Sequence, residues 1–211
     1  MKILISILTI IFVFTISLQA QSSDALIRFS LSLDMEPYVM GYKDASGQIV
    51  IPTDKYRYCF TEVFDKIAII GHRAPGSIEN KYYAIDRAEN ILFEVAAGDN
   101  SPDEVQNGLF RIIVDGKMGF ANMNGDIVIQ PAFSTVLPFS EGLAAFCIGG
   151  MKVQEKEHSI RRGGKWGFVD TTGQIVIPAQ FDRVRSFNDG RTTVEKSGTY
   201  YKIDKKGNVI N

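Results

Sequence analysis

The sequence predicts an all-β protein built from repeats. Three observations carry this. One hairpin-like motif recurs along the chain, and its apolar residues alternate with a period of two. No stretch after residue 20 has the 3.6-residue apolar period of an amphipathic helix. The best copy of the motif is Lys165-Trp166-Gly167-Phe168-Val169-Asp170-Thr171-Thr172-Gly173-Gln174-Ile175-Val176-Ile177-Pro178.

Near-identical copies begin at Val39 and Lys117, and weaker ones at Lys81 and Thr199. The starts lie 42, 36, 48 and 34 residues apart. Periods in this range mark repeat architectures, in which each unit buries its apolar face on its neighbours. Within a copy, Trp166 and Phe168 alternate with Lys165 and Gly167, and Ile175 and Ile177 alternate in turn. The turn between them is Asp-x-x-Gly. Its Asp can accept hydrogen bonds from the following backbone, and its Gly supplies a positive φ. Asp44/Gly47, Asn122/Gly125, Asp170/Gly173 and Asp204/Gly207 obey the pattern. Asp86 is followed by Glu89 where Gly belongs, so a longer or distorted turn is expected there.

After each hairpin comes Phe-Asp or Phe-Ser, then a Gly-bearing corner and a further strand: Phe139-Ser140-Glu141-Gly142 before Leu143, and Phe187-Asn188-Asp189-Gly190 before Arg191. Val105 to Ile112, with Asn107-Gly108, is a third version. A unit therefore reads as about three strands. Stacked units predict an open solenoid-like or curved array. A closed propeller is the alternative, and its blades ordinarily need four strands.

The Trp-Gly-Phe-Val-Asp…Gly-Gln-Ile-Val-Ile-Pro core, followed by Phe-Asp and Phe-x-(Glu/Asp)-Gly, resembles the WG-repeat proteins, common in bacteria. The resemblance is specific over residues 117–211 and looser over 39–116. Met40 and Met118 stand for Trp, and Tyr83 and Tyr201 for Gly. It implies a β-rich repeat scaffold, frequently exported, with no shared catalytic residues.

Residues 1–20 read as a signal peptide: Lys2, an apolar run from Ile3 to Leu18, and a small-residue cleavage site ending at Ala20. A retained membrane anchor is the competing reading, weakened by Ser6, Thr9, Thr15 and Ser17. The chain is thus expected to be periplasmic, cell-surface or secreted, with no membrane span after cleavage. Residues 21–38 are expected to cap the array. In 24–36, Ile27, Phe29, Leu31, Leu33 and Met35 alternate with Arg28, Ser30, Ser32, Asp34 and Glu36, which predicts an apolar face turned inward to cover the first open edge. The repeat domain occupies 39–211.

The formal net charge is -1, with no basic block, which argues against nucleic acid. Cys59 and Cys147 fall in different units and are expected to be buried thiols rather than a bridge. No nucleophile elbow, phosphate loop, zinc-binding helix or Cys-x-x-Cys is present, so no catalytic residue, cofactor or metal is assigned. Tyr42, Tyr82, Phe120, Trp166 and Tyr200 could line a stacking groove, but their recurrence in the hairpins favours core packing. Gly41, Gly119 and Gly167 beside them would admit a close neighbour.

The largest irregularity is Gly149 to Gly164, a charged and Gly-flanked insert. Its Lys152, His158, Arg161 and Arg162 are the candidate binding residues, because loops on rigid scaffolds carry function more often than the scaffold does. A non-enzymatic binding module for a protein or cell-surface ligand is therefore expected. A carbohydrate- or peptide-active hydrolase and a structural accessory subunit are the alternatives.

Overall fold

The computed structural model describes residues 24–31, 39–72, 80–98, 101–102, 104–155 and 158–210; of residues 152, 154, 155 and 158–162 it describes the backbone. The signal-peptide reading of 1–20 lies outside the described residues. The strands, in chain order, are β1 (Leu26–Leu31), β2 (Val39–Lys43), β3 (Ile49–Ile51), β4 (Tyr58–Cys59), β5 (Val63–Phe64), β6 (Ile67–His72), β7 (Lys81–Asp86) and β8 (Ile91–Val95). They continue as β9 (Leu109–Val114), β10 (Lys117–Asn122), β11 (Ile127–Phe133), β12 (Thr135–Val136), β13 (Leu143–Ile148), β14 (Met151–Glu155) and β15 (His158–Arg162). The chain ends with β16 (Lys165–Asp170), β17 (Ile175–Phe181), β18 (Arg183–Val184), β19 (Arg191–Lys196), β20 (Thr199–Asp204) and β21 (Val209–Ile210). No helix occurs among the described residues, and the chain is an all-β repeat array as the sequence predicts.

The motif hairpins are β2–β3, β7–β8, β10–β11, β16–β17 and β20–β21, all antiparallel. The strand that follows a hairpin in sequence pairs with the next hairpin instead of its own: β13 pairs with β16, and β19 with β20. A two-residue strand then adds a fourth member, giving the orders β12-β13-β16-β17 and β18-β19-β20-β21. The expected three-strand unit is corrected accordingly. The additional strand escapes a period-two reading because two residues show no period. It arises where the hairpin's outer strand turns a corner, at Ser134 after β11 and at Asp182 after β17, and becomes the edge of the following sheet. Each repeat is therefore stapled to the next through its backbone. Between the second and third hairpins β8 pairs directly with β9, fusing two sheets into one of seven strands.

Successive sheets stack face to face. Along β13, Ala144 and Phe146 face the preceding sheet, while Leu143 and Ala145 face the following one. Along β6, Ala68 and Ile70 face back, and Ile67 and Ile69 face forward. Burial on both faces explains why β6 and β13 read as unbroken apolar runs. A repeated aromatic pair cements three of the junctions: Tyr42–Phe64, Phe120–Phe139 and Phe168–Phe187, with ring centroids 5.3, 4.5 and 4.8 Å apart. The outward faces of the first and last sheets are exposed, so the stack is open rather than a closed propeller.

The motif glycine has a steric cause. The outer strand shifts register opposite Gly167: Trp166 pairs with Phe181 but Phe168 with Ile177. A Cβ at Gly167 would lie 2.4 Å from the Ile177 carbonyl oxygen. At Gly119 and Gly41 the equivalent distances to the Ile129 and Ile51 carbonyls are 2.3 and 2.4 Å. The close approach expected at these glycines is that of an edge-strand bulge.

The first strand departs from its expected role. β1 lies inside the first sheet, between β2 and β5, so it caps no edge. Its facing is also reversed. Arg28 points into the array and donates to the Cys59 and Phe60 carbonyls (3.1 and 3.0 Å), whereas Ile27, Phe29 and Leu31 line the outward face. Leu26 beside Phe64, and Tyr42 opposite Arg28, set this facing because both bury against the second sheet. Residues 32–36 of the expected cap lie outside the described residues.

The turn at Asp86 is not distorted. Glu89 adopts a φ of 63° and keeps the usual bonds, with its N–H donating to the Asp86 carbonyl at 3.0 Å. Its carboxylate accepts from Lys55 Nζ and Tyr56 Oη, both at 2.7 Å, which offsets the left-handed backbone. The two cysteines are buried in separate places and form no disulfide; burial pushes the Cys59 thiol up to about 11.

Candidate functional site

Every sheet has two ends. At one end lie the Asp-x-x-Gly turns and the Gly corners. Asp170 Oδ1 accepts from the N–H groups of Thr172 and Gln174 (2.9 and 3.0 Å) and from the Thr172 hydroxyl (2.7 Å). Asp44, Asp86, Asp204 and Asn122 accept the same two backbone N–H bonds. The corners Asn107-Gly108, Glu141-Gly142 and Asp189-Gly190 are two-residue turns with positive φ at both positions, as a type I′ hairpin requires. Neighbouring sheets are tied together here: Glu141 Oε2 accepts from the Gly190 N–H (3.0 Å) and pairs with Lys205 (3.1 Å), and Ser140 Oγ donates to the Phe187 carbonyl (2.7 Å).

At the other end the two inner strands of each sheet meet. In the third and last sheets they are joined by two residues, Asp115-Gly116 and Ser197-Gly198, again with positive φ at both. In the first sheet Leu31 and Val39 are joined through 32–38, and in the second His72 and Lys81 through 73–80. In the fourth, Ile148 and Lys165 are joined through 149–164. The sequence does not announce that these three connections share one end, although each falls immediately before a motif start.

The 149–164 connection is an arm. β14 and β15 pair antiparallel, from Met151 opposite Arg162 to Glu155 opposite His158. This is the same register as Ile148 opposite Lys165 below it, so the arm continues the β13–β16 ladder. Two rungs separate arm and body, and glycine fills all four positions: Gly149, Gly150, Gly163 and Gly164, with φ of 74°, 74°, 72° and 82°. Four left-handed residues break the strand path at one level and form a joint. A Cβ at Gly164 would come within 2.9 Å of Cys147 Sγ and the Ile148 carbonyl oxygen.

The candidate binding residues all lie on the arm. The register brings Lys152, Arg161 and Arg162 together on the two rungs nearest the joint, Lys152 directly opposite Arg161. His158 is not with them; it stands opposite Glu155 at the far end. The arm carries Lys152, Lys156, Arg161 and Arg162 against Glu155 and Glu157, an excess of two positive charges on a chain of formal charge -1. Met151, at its base, is 74% exposed.

The hairpin aromatics form no common groove. Tyr42, Tyr82 and Phe120 are core residues, as expected. Trp166 is only half-buried against the last core cluster, and Tyr200 is exposed, which corrects the core assignment for Tyr200. Phe168, two residues on from Trp166, is the fully buried anchor, because strand alternation and the bulge put it at the sheet centre.

A cavity of about 190 Å³ opens beside the second sheet, lined by Phe60, Thr61, Ile69, Pro102, Glu104 and Val105. Glu104 is the single carboxylate among the described residues of that lining. Among the described residues no three His, Cys, Asp or Glu side chains are placed to hold a metal ion, and no helix is long and apolar enough to cross a membrane.

A family model described as WG containing repeat matches residues 118–151 and 166–200. These two segments are WG repeats. Comparison with curated proteins gives no match. The two matched repeats stop at Met151 and resume at Trp166, so residues 152–165, nearly all of the arm among them, fall between them. The matched repeats belong to the stacked body, and nearly all of the arm lies outside them.

Proposed function

We propose that this chain is an exported, non-enzymatic interaction module whose stacked sheets present a partner-binding arm. One observation carries the reading. Sixteen residues on a four-glycine joint replace a connection that the same molecule makes elsewhere with two, at 115–116 and 197–198. Among the described residues no packing of the body requires that length, and insertions in repeat proteins gather on the binding side. The three basic residues near the joint favour an acidic protein or cell-surface ligand.

The test replaces Gly149–Gly164 with Asp-Gly, copying the turn at Asp115-Gly116. The shortened chain should fold and melt within a few degrees of the parent, since shortening a loop changes closure entropy by only about 1–2 kcal/mol. It should lose partners that the parent retains from a cell-envelope extract, and Lys152→Glu with Arg161→Glu should lose the same ones. Retention of those partners by the armless chain would refute the reading. Export is tested apart from this: intact mass of the protein recovered from the producing cell should begin at Gln21, and recovery beginning at Met1 would refute it.

A further inference from the structure

The two terminal faces of the stack differ in chemistry. The outward face of the last sheet carries Arg183, Arg191, Glu195, Tyr200, Lys202 and Asp204, which the register places on one side, opposite the buried Thr192, Val194 and Ile203. That is how a terminal repeat ordinarily meets water. The outward face of the first sheet is the reverse. Val63, Ile27 and Ile49 lie on it around Lys43, followed by Phe29 across Gly41 and then Leu31 beside Val39. Ile27, Leu31 and Ile49 are 36, 48 and 56% exposed. Apart from Lys43, its composition is that of the faces between sheets inside the stack, where isoleucine and phenylalanine meet their like.

We infer that the first sheet is a homodimer interface, closed by the first sheet of a second copy about a two-fold axis. A contiguous apolar face of this kind marks an interaction site. Three features select a second copy. Every internal junction of this array is made by one repeat sheet packing on another, so the surface that fits this face is another such sheet. Within a second copy the last sheet is unsuitable, because packing it here would desolvate Arg183, Arg191, Glu195, Lys202 and Asp204 against isoleucine and phenylalanine, whereas a second first sheet brings only Lys43. That excludes head-to-tail growth and leaves the isologous arrangement, which closes on itself at two copies. Edge-to-edge pairing has little to work with, since the sheet's edges β5 and β3 are two and three residues long. The reversed facing of β1 thus has a use: Arg28 secures the strand from within, and the side chains it turns outward are those a partner sheet needs.

The experiment is sedimentation of the protein, as recovered from the producing cell, over a concentration series. The parent should reach twice the monomer mass. Leu31→Glu and Ile49→Glu should each hold it at monomer mass, while Tyr200→Glu on the last sheet should leave the dimer intact. Should the glutamate variants fail to fold, Ile27→Cys decides. A short bis-maleimide should join two copies at this position, because the native Cys59 and Cys147 are 1 and 0% exposed. A parent that stays monomeric at every concentration overturns the inference. So does a dimer that survives both glutamates, or an Ile27→Cys chain that labels without cross-linking.

Discussion

The two ends of the sheets obey different rules. At the end with the Asp-x-x-Gly turns, all five hairpins use the same turn, even where Glu89 must take a left-handed φ to keep it. Carboxylates and hydroxyls there reach across to the next sheet, as Glu141 does to Gly190 and Lys205. At the opposite end the connections run from two residues to sixteen, and the longest is set off by a glycine joint. The Gly corner that leads into each inner strand lies at the first end, so a change in turn length there would shift that strand against its neighbours. The crossings at Ser134 and Asp182 lie at the second end, beside the hairpin tips. A change at a tip lengthens the hairpin and moves nothing beneath it. Variation is tolerated at the hairpin tips, through which the chain does not pass from one sheet to the next, and an arm can be added there at low cost to stability.

The comparison breaks most sharply at the hairpin aromatics. Phe168→Ala empties a fully buried site packed on Phe187 and should cost about 3–5 kcal/mol in urea denaturation. Trp166→Ala lies one rung pair nearer the variable end, at a half-buried site opposite Cys147, and should cost about half as much. Equal losses would mean that the body is packed alike toward both ends of the sheets.

Much of the body was legible because each feature has a local cause. Strand positions follow from alternation, turns from Asp and Gly, and the close approach at Gly41, Gly119 and Gly167 from the absence of a side chain. Partnering was not legible. Alternation states that Ile27, Phe29 and Leu31 share a face but not which way that face looks; Leu26 and Tyr42 settle it through contacts with the second sheet. A period of two is equally silent on whether the strand after the corner pairs with its own hairpin or the next. Trp166 stands out in the sequence by rarity, and rarity does not measure burial. The insert was found by its length, while its continuity with the ladder below rests on pairing that has no sequence signal.

Glycines sharpen the comparison at the next level. Gly167→Ala in the body sets a Cβ 2.4 Å from a carbonyl oxygen and 2.8 Å from the backbone of Pro178 and Ala179. Backbone cannot swing aside as a side chain can, so the bulge must open, at a cost of about 1–3 kcal/mol. Gly163→Ala in the joint meets nothing nearer than the Gly150 Cα at 3.9 Å and bears only the left-handed strain of its φ of 72°, about 1 kcal/mol. Thermal melts should show the first variant well below the second. If Gly163→Ala is the more damaging, the joint is part of the body's core and the arm is no appendage.

The smallest effect concerns acid, and it isolates the invariant end. Asp170 is held below the usual carboxylate range by the Thr172 hydroxyl and the backbone N–H groups of the turn. Asp44 is held down first by Ser46, Asp86 by Asn90 and Asp204 by Asn208. A carboxyl whose value is lower in the folded chain stabilises it fully above the unfolded value, near 3.8, and loses that contribution as pH falls through the folded one. Asn122 makes the same two backbone bonds without titrating. Replacing the four aspartates by Asn should therefore lower the urea midpoint slightly at neutral pH, because a neutral amide is the weaker acceptor. The gap should close as pH falls through the lowered folded values, below which the parent's side chains are neutral too. A gap that stays constant down to strongly acid pH would show that charge in these turns contributes nothing. The uniformity of that end would then rest on backbone geometry alone.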